Sequence, residues 1–408
     1  MIFISAPPCL AATQILRKDE PDLRKKSPEN FWLKQVLRRH WRNTELYNIT
    51  SRTLMSIHFH RLKIKEVKKE TADCVLITFA VPPELKDIYS YSHGQNITLR
   101  AVIRGNDVRR SYSICTAPYE NELTVAVKEA EKGLFSGFAN RELKAGDEIE
   151  VLPPTGTFYT SLHPDQKKNY LAFAAGSGIT PVISIIKSTL SIEPGSQFTL
   201  VYNNRTRNSI IFLEELEALK NRYLNRLVLI HILSREKMEA PVNSGRIDND
   251  KLNELRRLIA YEKMDDIFLC GPEAMIFTIR DYLIEKGIDK SKIHFELFNT
   301  VKRTDSENTG NETVQPGKKS NVTIKLDGRS FDFDVDYRGE RILDAALKQG
   351  ADLPYACKGG VCASCWARLI EGHVVMDTNW ALEPEELAQG YILTCQSHPT
   401  TERVCQHS

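Results

Sequence analysis

No run of this 408-residue chain reaches the ~18 consecutive apolar residues of a membrane-crossing helix. Net charge is almost absent, since 55 Lys and Arg stand against 53 Asp and Glu, leaving +2. That balance argues against nucleic acid as a main partner, because nucleic-acid binders present a strongly basic face. A disulfide framework is missing too. The nine cysteines are odd in number, and Cys9, Cys74, Cys115, Cys270 and Cys405 are scattered. Free thiols belong to a reducing compartment, so a cytoplasmic protein is expected. The first fifteen residues, MIFISAPPCLAATQI, lack the basic start of an export signal, and Pro7-Pro8 interrupts them. Paired Glu-x-x-His helices of a di-iron centre are also lacking, so oxygen activation would have to lie on another chain. What remains is an ordinary globular composition, 41% hydrophobic and 26% charged, long enough for about two to four domains.

The chain does have a tight cysteine set near its end. Cys357, Cys362 and Cys365 follow a C-x4-C-x2-C spacing, and Cys395 comes after twenty-nine intervening residues. This is the plant-type spacing for a [2Fe–2S] cluster: three thiolates wrap the core from one loop and a distant fourth closes it. Gly359, Gly360, Ala363 and Ser364 are small enough to let the backbone approach and aim N–H groups at sulfur. A zinc site is the competing reading, but zinc ligands come as two close pairs, and Cys395 has no near companion. A [2Fe–2S] centre moves one electron at a time, so the rest of the chain should feed or drain single electrons.

Three domains are legible between the punctuation marks. Residues 1–54 read as a disordered extension with a short basic helix near 31–41, which faces solvent, a membrane or a partner. Short β-branched runs between Gly, Pro and Asn-Asp turns fill 55–162 and predict an antiparallel β-barrel or sandwich. Strand–helix alternation over 163–299 predicts a parallel α/β sheet. Residues 300–320 are nearly devoid of apolar side chains and read as a linker. The last part, 321–408, opens on a hairpin around Asp327-Gly328, then a helix over 342–348, then the cysteine loop.

Candidate binding motifs sit at the joints. Arg110, Tyr112 and Ser113, at the start of a predicted strand, offer a pyrophosphate clamp, a stacking ring and a hydroxyl. Gly133 and Ser136 open a helix whose free N–H groups suit phosphate. Gly176, Gly178 and Thr180 lie between the first α/β strand and its helix, where glycine lets backbone reach a pyrophosphate, but Pro181 stands where the third glycine of G-x-G-x-x-G would be. After the second strand come Arg205, Arg207 and Ser209 rather than an acid, which favours the 2′-phosphate of NADP over NAD. Cys270 follows the predicted strand over 267–269, where ligands bind in such sheets, or else is a buried structural thiol. For the other motifs the bland readings are an edge strand, a capped helix and a solvated loop.

In this order, Arg-x-Tyr-Ser, Gly-Ser-Gly-Ile-Thr-Pro and Cys-Gly-Pro, the motifs resemble the ferredoxin–NADP reductase superfamily. With the cysteine loop added, the chain resembles oxygenase-coupled reductases, and most of all the reductase subunits of phenylacetyl-CoA epoxidases. The likeness rests on 109–115 (RRSYSIC), 245–248 (GRID) and 342–365 (ILDAALKQGADLPYACKGGVCASC), and spans about residues 57–400. It implies a barrel holding FAD through Arg110, Tyr112, Ser113, Gly133 and Ser136. It implies an NADP domain using Gly176, Gly178, Thr180, Arg205 and Ser209, with Cys270 beside the nicotinamide. It implies an α+β β-grasp ferredoxin domain, and catalytic roles for Tyr112, Ser113 and Cys270. The implied route runs from NADPH to FAD to [2Fe–2S] to a di-iron epoxidase partner, because a flavin accepts electrons in pairs and releases them singly. One departure stands out. The family continues past its fourth cysteine into an apolar strand and an acidic tail, whereas this chain ends at Thr401–Ser408, TERVCQHS. The ferredoxin sheet is therefore expected to lack an edge strand, which would loosen the cluster. A reductase of another oxygenase, a flavin reductase with a redox-inert docking domain, and an inactive truncated product stay open as alternatives.

Overall fold

The computed structural model describes residues 58–298, 318–326, 328–382 and 384–407. The expected extension over 1–54, its helix near 31–41, Asp327 and residues 300–317 of the expected linker lie outside the described residues.

Alternation builds the first domain. In β1 (His60–Thr71), Leu62 and Ile64 are buried while Arg61, Lys63 and Lys65 face water. It joins β2 (Cys74–Ala80), β3 (Asn96–Ile103), β4 (Asn106–Ser113), β5 (Leu123–Lys128) and β6 (Glu148–Val151) in the order β4-β3-β6-β1-β2-β5. Every pairing is antiparallel. A further bridge, Ile114 to Val125, brings the two edge strands together, so the sheet closes as a barrel. Helix α1 (Leu134–Arg141) plugs one end with buried Phe135 and Ala139. The Arg-x-Tyr-Ser segment differs from expectation in one respect. It ends β4 rather than opening a strand, because the turn reaches only to Gly105 and pairing with β3 already starts at Asn106.

The second domain is a parallel five-stranded sheet, β11-β10-β7-β8-β9. Its strands are β7 (Asn169–Ala175), β8 (Gln197–Asn204), β9 (Leu227–Leu233), β10 (Asp266–Gly271) and β11 (Ile293–Leu297). Helices α2 (Ile179–Ile192), α3 (Leu213–Arg222), α4 (Asn249–Leu255) and α5 (Glu273–Glu285) cross between them. The chain leaves β7 toward β8 and returns on the other side to β10. The β7–β10 boundary is thus the switch point, where open α/β sheets bind ligands at the strands' carboxyl ends. Lys187 of α2 is buried and pairs with Glu215 of α3 and, at 3.2 Å, with Glu120 of the barrel domain. Ser184 donates to the Thr116 carbonyl at 2.7 Å, tying the two domains further.

The third domain starts with β12 (Lys319–Leu326), inside the stretch expected as linker, and continues with β13 (Arg329–Asp336) and α6 (Ile342–Lys348). Then come β14 (Trp366–Glu371), β15 (Val374–Met376), α7 (Pro384–Ala388), β16 (Tyr391–Leu393), β17 (Ser397–Pro399) and β18 (Arg403–His407). The main sheet runs β13-β12-β18-β14-β16. The expectation of a missing strand is corrected here. Arg403–His407 is not absent from the sheet but central in it, parallel to β12 and antiparallel to β14. Its apolar signal is faint because Cys405 and Gln406 occupy buried positions beside Val404.

Gln406 is fully buried, yet neither its Nε2 nor its Oε1 finds a hydrogen-bond partner. An unsatisfied buried amide costs about 1–3 kcal/mol. Gln406→Met keeps the unbranched shape and removes the amide. The ferredoxin domain of that variant should be more stable by about 1–3 kcal/mol in urea melts. An unchanged or lower midpoint would mean that Gln406 is satisfied.

Candidate electron-transfer site

All three domains contribute walls to one cavity of about 1280 Å³. From the barrel come Arg110, Tyr112, Ser113, Gly133 and Ser136, from the α/β domain Ser177, Thr180 and Glu296, and from the third domain Cys357 and Cys362. Strand β4 ends at the cavity and α1 begins there, which explains why both barrel motifs meet. The Tyr112 ring lies 5.6 Å from that of Phe135, and burial pushes the Tyr112 phenol well above its ordinary range. Ser136 Oγ accepts from the Ala130 amide at 3.0 Å and donates to the Gly133 carbonyl at 3.3 Å, fixing the helix entry. A flat ring, an exposed guanidinium and a helix entry around a roomy cavity fit a heteroaromatic cofactor with a phosphate tail.

Glu296, at the end of β11, is the residue that motif reading missed. Ser113 Oγ donates to its carboxylate at 3.1 Å and Asn96 Nδ2 at 3.5 Å. Burial pushes its carboxyl up to about 7, against these two hydrogen bonds, which pull it down. A group that titrates near neutrality beside a cavity can hold or release a proton there. Cys270, fully buried at the end of β10, is not on the cavity surface. Burial, aided by the Glu296 charge, pushes its thiol far up, so it stays protonated. Gly176 lies in the turn after β7, where its carbonyl accepts from the Tyr202 hydroxyl at 2.9 Å, and Gly178 packs on the Cys270 carbonyl. Thr180 Oγ1 donates to the Ser177 carbonyl at 3.0 Å.

The sign of the Glu296 shift gives a pH prediction. A carboxyl raised from 4.5 to about 7 binds its proton more tightly in the folded chain. Stability is then lost as pH rises through that window, by up to about 3 kcal/mol. Glu296→Gln should melt like the parent at pH 4.5 and later than it at pH 8. Parallel melting at both values would refute the shift.

Arg205, Arg207 and Ser209 follow β8, away from the cavity wall. Ser209 Oγ donates to the Thr206 carbonyl at 2.7 Å and accepts from the Thr206 amide at 3.1 Å, so the hydroxyl closes its own turn. Arg207 pairs with Glu217 at 3.5 Å. Arg205 is exposed, and the amide of Arg235 donates to its carbonyl at 2.8 Å. No motif marks Arg235, yet the pairing of β8 and β9 sets it beside Arg205.

The four candidate cluster cysteines converge although Cys395 lies beyond β16. Among the described residues no three His, Cys, Asp or Glu side chains form a single-ion site. The thiols instead influence one another's proton affinity most strongly in two pairs, Cys357 with Cys362 and Cys365 with Cys395. Two pairs suit a two-iron cluster better than one zinc ion. Hydrogen bonds from Cys357 and Ser364, working against burial, bring the Cys362 thiol down to about 5. The Gly359 amide reaches Cys357 Sγ at 3.2 Å and Gln396 Nε2 reaches Cys395 Sγ at 3.4 Å. Lys358 (φ 51°) and Ala363 (φ 54°) are held left-handed, a cost that non-glycine residues bear where a loop must curl around something.

Comparison with known proteins agrees with this layout. Residues 61–159 match the oxidoreductase FAD-binding domain, 173–281 the oxidoreductase NAD-binding domain, and 324–400 the 2Fe-2S iron-sulfur cluster binding domain. The Escherichia coli protein named as the E component of 1,2-phenylacetyl-CoA epoxidase is 46% identical over 85% of this chain and 96% of its own length. The ferredoxin reductase component of 3-ketosteroid-9-alpha-monooxygenase from Rhodococcus rhodochrous is 35% identical over 84% of this chain and 95% of its own. Among solved structures, phthalate dioxygenase reductase shares the fold with a TM-score of 0.52 and 23% identity, covering 86% of this chain and 98% of that one. A self-sufficient cytochrome P450 monooxygenase shares it with a TM-score of 0.61 and 22% identity, covering 86% of this chain and 41% of that one. The chain is an electron-transfer oxidoreductase with domains for FAD, NAD(P) and [2Fe–2S]. It belongs to the ferredoxin–NADP reductase family, in the branch of oxygenase reductases that includes the E component of 1,2-phenylacetyl-CoA epoxidase.

Proposed function

We propose that this chain is the cytoplasmic reductase component of a phenylacetyl-CoA epoxidase, drawing electrons from NADPH and passing them to a di-iron oxygenase partner. The observation that carries the reading is the single cavity walled by barrel, α/β and cysteine-loop residues together. The 46% identity to the E component of such an epoxidase, over nearly its full length, supports the choice of oxygenase. The described cysteines are all unpaired, which supports a reducing compartment.

Bound FAD supplies the change from paired to single electrons. In that cavity Tyr112 would pack against the ring system, Arg110 and the Gly133–Ser136 helix entry would take the phosphates, and Ser113 would face the ring. Glu296, through Ser113, holds a proton at the cavity. Gly176, Gly178 and Thr180 line the approach of the nucleotide pyrophosphate, and Cys270 backs its nicotinamide end. Cys357, Cys362, Cys365 and Cys395 ligate the cluster, with the first pair on the cavity side. Arg205 and Arg235 carry the NADP preference. Both are exposed at adjacent strand ends, and neither has an ion-pair partner among the described residues. Ser209 contributes only an acceptor, because its hydrogen already serves Thr206.

Anaerobic titration with NADPH and with NADH, following flavin and cluster bands separately, tests this. NADPH should bleach both bands at lower concentration, and phenylacetyl-CoA turnover should appear when the oxygenase components are added. Preference for NADH would remove the roles given to Arg205 and Arg235. Turnover of a steroid in place of the thioester would favour the 3-ketosteroid-type reading that the Rhodococcus relative represents.

A further inference from the structure

We propose that Arg109 is the positioning residue that seats the cysteine loop against the flavin cavity. Arg109 lies in β4 with only 3% of its side chain exposed. Such a cation must be fully partnered, and most of its partners belong to the ferredoxin domain. Its Nη2 donates to Asp352 Oδ1 at 2.7 Å, and its Nη1 to the Leu353 carbonyl at 3.2 Å. The guanidinium also lies over the Tyr355 ring, 4.3 Å from its centre. Asp107 of the barrel takes the remaining donors, at 3.1 and 3.3 Å.

The gripped segment, Asp352 to Tyr355, runs directly into Cys357. The far end of the loop is held too. Ser364, just before Cys365, meets Thr98 of β3 through their hydroxyls at 3.1 Å, at a buried contact. Thr98 in turn bonds Ser111 of β4 at 3.0 Å. Both ends of the cysteine loop are therefore fastened to one β3–β4 hairpin. That hairpin also supplies Arg110 and Tyr112 to the cavity. Neighbouring residues of one strand thus set the flavin wall and the seat of the cluster. A rigid strand fixes their separation, and electron transfer falls steeply with separation. A lysine could not replace the fork, since it lacks the planar, multiply donating head that meets a carboxylate, a carbonyl and a ring face at once.

The proposal rests on the route given above only for its electron step. One NAD(P)H releases a hydride, a proton with two electrons, to the flavin. Each later step moves one electron, and one ferric ion of the cluster becomes ferrous. Docking itself can be read without that route.

The test uses Arg109→Lys and Asp352→Asn in the full chain loaded with FAD and cluster. Asp352 is 62% exposed, so its variant folds even where Arg109→Lys does not. Stopped-flow mixing with NADPH should show flavin reduction unchanged and flavin-to-cluster transfer slowed about tenfold or more. Ferricyanide, which takes electrons at the flavin, should be reduced at the parental rate, while cytochrome c reduction through the cluster falls. Amide exchange over residues 351–356 should quicken in both variants, with or without cofactors. The double variant should be no slower than the slower single one, as expected for two ends of one contact. Unaltered transfer with quickened exchange would overturn the positioning role and keep the docking contact. Unaltered exchange would overturn the contact itself. Equal losses in both assays with loss of FAD would reduce Arg109 to a structural residue. Absence of flavin-to-cluster transfer in the parent would refute the electron route, leaving the exchange result to judge the docking.

Discussion

Cys395→Ala should leave NADPH-driven ferricyanide reduction within about twofold and cut cytochrome c reduction by more than about a hundredfold. The reason lies in the pairing of the thiols. Cys357 and Cys362 shift each other's proton affinity most strongly, as do Cys365 and Cys395. If these pairs each hold one iron, removing Cys395 would strip one iron of half its protein ligands. It also frees Gln396, whose Nε2 contacts Cys395 Sγ at 3.4 Å and the Lys358 carbonyl at 2.9 Å, so the loop loses a brace. The barrel side of the cavity, with Arg110, Tyr112 and Ser136, lies on a different domain from Cys395, so flavin reduction should survive. Iron and acid-labile sulfide assays check the cause. A variant with full iron and sulfide content would show that Cys395 is not a ligand.

The cysteine loop is legible in the sequence because its chemistry is local: three candidate ligands and their small neighbours fall within nine residues. The barrel and the α/β domain are legible through period-two alternation and strand–helix rhythm. What stays hidden depends on pairing between distant segments. Glu296 reads as an ordinary strand-end acid, and only the β10–β11 pairing brings it to Ser113 of another domain. Arg235 follows β9 in a charged loop, and the β8–β9 register alone sets it beside Arg205. Arg109 looks like part of the flavin motif, since a sequence cannot say which side of β4 meets a domain some 240 residues on. Strand β18 escapes notice because its charged end and its buried Gln406 dilute the apolar pattern. Its parallel partner β12 lies at the opposite end of the domain. Arg-x-Tyr-Ser reads as a strand's start because the Gly105 turn looks longer than it is.

Gly178→Ala should lower kcat/KM for NADPH about a hundredfold and destabilise the chain by about 1–3 kcal/mol. A Cβ at this position would stand 2.1 Å from the Cys270 carbonyl oxygen, 2.5 Å from its carbon and 2.8 Å from the Gly271 nitrogen. These are backbone atoms of β10 and the residue that ends it, so no rotamer change relieves the overlap. The ends of β7 and β10 must part, and that is the switch point where the nucleotide is expected to lie. Backbone strain is not the cause, since Gly178 has φ −61°, which alanine adopts freely. Gly176→Ala separates the two effects. It has φ +54° but nothing within 4 Å of an added Cβ, so it should cost only about 1–2 kcal/mol of local strain and leave the β7–β10 spacing alone. Kinetics and urea melts of the two variants decide the matter. If Gly178→Ala binds NADPH as the parent does, the close approach of the turn to β10 has no part in nucleotide binding. If Gly176→Ala proves the more damaging, strain in the turn outweighs the spacing of the strands.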